Sequence, residues 1–90
     1  MIPKKKALEL IISAKKAEKV LVKKKGSFPD LAKSFELVIT EYRKLIALEE
    51  RVKYLKRGDV TNKIEKEILS ILNNTAKEEA VMDILSETII

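Results

Sequence analysis

The stretch Lys23-Lys24-Lys25-Gly26-Ser27-Phe28-Pro29-Asp30-Leu31 decides the fold. Three lysines followed by glycine end a helix, because cations stabilise the negative pole of the helix dipole and glycine suits the residue just past the last turn. Ser27 or Phe28 then caps a new helix, with proline and an acid in its first turn. So short a connection forces the helices on either side of it to lie antiparallel.

Toward the N-terminus, Ala7, Leu10, Ile11, Ala14, Ala17 and Leu21 recur at spacings of three and four. That is the period of one helix face. Pro3 suits a first helical position, where its missing N–H costs nothing. The spacing predicts a helix over residues 3–25, and Ala14 and Ala17 permit a close approach by its neighbour.

Toward the C-terminus, the stripe Leu31, Phe35, Val38, Tyr42, Leu45, Leu48, Val52 and Leu55 meets no breaker before Gly58, and Ile39 and Ile46 widen it. This predicts a second helix over 29–57. Asp59 or Thr61 can cap the next segment, whose apolar positions are Ile64, Ile68, Ile71 and Leu72. Asn73-Asn74 interrupts that segment, because asparagine tolerates the left-handed conformation that ends helices. Thr75 and Glu78 then stand at capping-box spacing. Helices over 60–73 and 76–89 follow, the last turning Ala80, Val81, Ile84, Leu85 and Ile89 inward; one kinked third helix is the alternative. The expected fold class is all-α, an antiparallel helical bundle of three to four helices forming a single domain over residues 1–90.

Composition narrows the chemistry. Apolar residues make up 46% of the chain, enough for a modest core and too much for a disordered segment. Histidine, cysteine and tryptophan are absent, which removes the usual proton shuttle, thiolate chemistry and zinc–sulfur ligation. The Glu-x-x-His motif of di-iron bundles cannot occur without histidine. With only Gly26 and Gly58, the chain has no glycine-rich phosphate loop. Glu18 and Glu49 fall near the apolar stripes and offer either a carboxylate pair across an interface or two stripe-edge acids that reach water or lysine; the second reading is the expected one. No enzymatic activity, cofactor, metal or small-molecule substrate is therefore expected. No segment approaches the roughly 20 apolar residues needed to cross a bilayer, and a cytoplasmic location is expected. A Lys/Glu/Ile-rich chain poor in amides suits a thermophilic source, although AT-rich codon usage produces the same bias.

Charge is distributed unevenly. Residues 1–25 carry nine lysines against two acids, a balance of +7, whereas residues 59–90 carry three basic groups against seven acids, a balance of −4. One reading pairs the basic first helix with the acidic C-terminal segment inside the molecule. The other leaves a cationic face for an anionic partner, built from Lys4, Lys5, Lys6, Lys15, Lys16, Lys19 and Lys23. Lys4 to Lys6 stand out, since cations in a first turn oppose the positive end of the helix dipole. Such a face suits either an acidic protein or nucleic acid bound through its phosphates without sequence preference. Tyr42 lies on the core stripe, whereas Tyr54 stands off it beside Lys53 and Lys56. Tyr54, Met82, Leu85, Ile89 and Ile90 form the candidate protein interface, with self-association expected through the apolar C-terminal segment. The expected function is a non-enzymatic interaction, adaptor or regulatory module, with nucleic-acid binding as the alternative.

Overall fold

The computed structural model describes the backbone of residues 2–56 and 58–89, and the side chains of 2–56 and 58–78. Four α-helical segments follow one another: α1 (Lys4–Ser27), α2 (Ala32–Ala47), the short α3 (Glu49–Lys53) and α4 (Asn62–Ile89). A single 3-10 turn, Pro29–Leu31, leads into α2. The described residues contain no strand, only an isolated antiparallel bridge between Pro3 and Asp59. The molecule is all-α, and elongated at 48 × 19 × 15 Å.

The helical stripes meet as their periods require. One cluster joins Ala7, Ile11 and Ala14 of α1, Leu45, Leu48 and Val52 of the α2–α3 segment, and Val60, Ile64, Ile68 and Ile71 at the start of α4. A second joins Leu21 of α1 to Leu31, Phe35, Val38 and Ile39. Tyr42, partly buried, packs against both. Burying each large aliphatic side chain contributes roughly 2 kcal/mol, so these two clusters hold the rods together.

Helix ends differ from the sequence expectation at four places. Gly26 lies inside α1 rather than past it, with no positive φ, and the helix closes at Phe28, whose N–H donates to the Lys24 carbonyl at 3.0 Å. The second helix is pinched at Leu48, whose N–H donates to the Leu45 carbonyl at 3.1 Å, three residues back. It ends at Lys53 instead of 57, because the chain turns away there to bring Leu55 and Val60 into the first cluster. The second connection is therefore much longer than the two or three residues expected.

The fourth difference concerns Asn73-Asn74, which breaks nothing: α4 is continuous. Its buried positions Ile64, Ile68, Ile71 and Thr75 keep spacings of four, three and four straight through the asparagines. Thr75 is buried, and its hydroxyl donates to the Leu72 carbonyl at 3.0 Å within the helix, so it caps no new one. At the start of α4, Thr61 does act as cap, its Oγ1 accepting from the Ile64 N–H at 3.3 Å.

Candidate functional site

The N-terminal lysines divide once the chain folds. Ile2, Pro3 and Lys4 run against residues 58–60 as a clasp: the Lys4 N–H donates to the Gly58 carbonyl at 2.6 Å and the Val60 N–H to the Ile2 carbonyl at 3.0 Å. The clasp satisfies a first-turn N–H of α1 that has no side-chain cap. It also sends the Lys4 side chain to the far end of α3, where Nζ donates to the carbonyls of Lys53 and Leu55, each at 2.9 Å. Lys4 therefore does not oppose a dipole. It occupies the negative pole of another helix, and is removed from the candidate anionic-partner face.

Lys15 is also consumed internally, bonding Glu49 at 2.7 Å. That hydrogen bond, helped by the charges of Lys15 and Lys53, holds the Glu49 carboxyl below its ordinary value against the opposing effect of burial. Lys25 bonds Glu36 at 2.7 Å, and this hydrogen bond together with the Lys25 charge likewise lowers the Glu36 carboxyl. Arg43 stands 3.7 Å from Glu36 and 3.9 Å from Glu18. Glu18 and Glu49 thus serve separate cations and form no pair. Among the described residues, the ion pairs of α1 run to α2 and α3, not to the acidic C-terminal segment.

Lys5, Lys6, Lys16, Lys19 and Lys23 are exposed, and among the described residues none lies within ion-pair distance of a carboxylate. Lys5, Lys16, Lys19 and Lys23 share the side of α1 opposite Ala7, Ile11, Ala14 and Leu21, as a helical period demands. Two aliphatic side chains that sequence reasoning did not single out stand among them: Ile12, 52% exposed, and Val20, 51% exposed. Ile12, Lys16 and Val20 follow at intervals of four residues and form one ridge. The signal was present as apolar residues off the core stripe of α1. Tyr54 is 80% exposed, as its position off the stripe implies, but sits at the end of α3, away from this ridge in sequence. The side chains of Met82, Leu85 and Ile89, and the whole of Ile90, lie outside the described residues.

A second concave feature lies between α2 and α4. An open cleft of about 440 Å³ is lined by Glu41, Lys44 and Leu48 from the first segment and by Lys66, Glu67, Ser70, Ile71 and Asn74 from the other, so its acids and lysines balance. Glu41 Oε1 holds Lys44 at 3.1 Å, while Glu41 Oε2 is buried and accepts no hydrogen bond among the described residues.

The architecture defines the class: an all-α bundle in which no helix among the described residues is long and apolar enough to cross a membrane. Comparison with protein-family models, curated proteins and solved structures gives no match.

Proposed function

We propose that this chain is a non-enzymatic helical module acting in the cytoplasm, and that it binds another protein through the outer face of α1. The observation that carries this reading is the ridge itself. Among the described residues, Lys5, Lys16, Lys19 and Lys23 have no carboxylate partner, and Ile12 and Val20 stand half-exposed between them. Phosphates call for cations alone, whereas a protein surface that buries two aliphatic groups beside its acids uses every part of the ridge.

The test pairs two fluorescent probes at low and high salt: an amphipathic helical peptide with glutamate and leucine faces, and a duplex DNA. Peptide binding is expected at low salt. Lys16→Glu with Lys23→Glu weakens it by roughly tenfold or more, about 1.4 kcal/mol per decade. Ile12→Ser with Val20→Ser weakens it as well. Failure to bind the peptide at low salt overturns the reading. Sequence-nonspecific nucleic-acid binding is the second reading, favoured by the same unpaired lysines. It requires duplex binding that falls steeply with salt and ignores the two serine substitutions.

A further inference from the structure

We infer that the partner of the α1 face is an acidic, amphipathic α-helix, and that it lies antiparallel to α1 with its acids gathered in its N-terminal half. This rests on the reading of α1 as a protein-binding face, and adds the partner's form and direction.

The face is not uniform along its length. Lys16, Lys19 and Lys23 stand within two turns, about 10 Å of helix axis at 1.5 Å per residue. Between positions 10 and 29 the only acid is Glu18. It is partly buried and stands 3.9 Å from Arg43 of α2, away from the outer face. The half nearer the N-terminus is mixed in charge. Glu9 is exposed there, four residues after Lys5 and seven before Lys16, which puts all three on one side of the helix. An acidic partner is thus attracted over residues 16–23 and repelled beside Glu9.

Ile12 and Val20 decide the partner's form. Both are about half-exposed, and with Lys16 between them they make a ridge of every fourth residue. A second helix receives such a ridge in the groove between its own rows of side chains. An extended acidic chain meets the lysines but offers no groove. Direction follows from the helix dipole. Acids stabilise the N-terminal turns of the helix that carries them, so an acidic helix holds its carboxylates best in that half. Brought onto residues 16–23, toward the C-terminal end of α1, that half sets the two helices antiparallel. The same arrangement brings the positive pole of the partner toward the negative pole of α1.

Two stapled helical peptides of one composition test this against the full 90-residue chain. Both carry the same leucine face; the glutamates occupy the first two turns of one peptide and the last two turns of the other. A nitroxide on the peptide N-terminus reports direction by broadening amide resonances of the chain. The first peptide is expected to bind about two- to fivefold tighter than the second, the range that one helix pole contributes. Its label is expected to broaden the resonances of residues 23–27 and to leave those of residues 5–9 sharp. An unstapled peptide of scrambled order, with no leucine face, is expected to bind more weakly than either. Equal affinity for the two stapled peptides, a label beside residues 5–9, or a scrambled peptide that binds as well as the first overturns the inference, while the α1 binding face stands. If neither stapled peptide binds at low salt, both fall.

Discussion

Lys4 shows how a single side chain changes meaning when the chain folds. Beside Lys5 and Lys6 it belongs to a cationic first turn; in the folded molecule its ammonium bridges two carbonyls at the end of α3. Hydrogen bonds from a charged donor contribute more than neutral ones, so Lys4→Met is expected to destabilise the fold by about 1–2 kcal/mol in urea denaturation. Lys5→Met, exposed and without such a partner, is expected to stay within roughly 0.5 kcal/mol of wild type. Equal losses from the two substitutions would show that Lys4 has no bridging role. Lys15 changes meaning in the same way by reaching Glu49. Neither fate is encoded locally, because both partners lie more than thirty positions away (53 and 55 for Lys4, 49 for Lys15).

At the scale of elements, the rods were legible and several of their ends were not. Spacings of three and four identify the buried faces of α1, α2 and α4, because burial of a continuous stripe dominates helix energetics. Local end signals were outweighed by the same force. The stripe through Ile68, Ile71 and Thr75 carries α4 past two asparagines, and α1 extends through Gly26. All three residues thus occupy helical positions for which they have poor propensity. Gly26 has no φ penalty to relieve and open space where a Cβ would stand, so Gly26→Ala is expected to stabilise by about 0.5–1 kcal/mol. Asn73→Ala, on the exposed side of α4, adds about 0.5 kcal/mol by the same reasoning. Had these residues been left-handed caps, both changes would lower the thermal midpoint instead. The pinch at Leu48 had no sequence signal, since Leu45, Leu48 and Val52 continue the stripe unbroken. Val60 escaped notice because a lone apolar residue in a connection has no period to betray it.

At the scale of the whole molecule, the ion pairs link elements. Lys15–Glu49 ties α1 to α3, and Lys25–Glu36 ties the end of α1 to α2. Both carboxyls titrate below their ordinary value of about 4.5. A depressed folded pKa gives stability that is present above the unfolded value and lost as pH falls through the folded one. Stability is therefore expected to decline from near pH 4.5 downward, and Lys15→Met to flatten that decline in denaturant titrations across this range. Added salt flattens it too, because both pairs face solvent. An acid limb unchanged by Lys15→Met would separate Glu49 from acid stability. The candidate site was half legible at this scale. The charge excess of α1 is plain in the sequence, but which lysines are left unpaired among the described residues, and that Glu41 comes to line a cleft between α2 and α4, depends on how the rods are laid together.

The clasp of Ile2–Lys4 on residues 58–60 has a consequence for the order of events in folding. The bridge from position 3 to position 59 spans most of the chain, whereas each helix and the α1–α2 hairpin form from near neighbours. Closing so long a loop waits until the rods have collapsed together and brought its ends within reach. Interactions made that late slow the return to the unfolded state without hastening arrival at the native one. The few residues ahead of the first rod thus govern how long a folded copy survives, not how fast it is made.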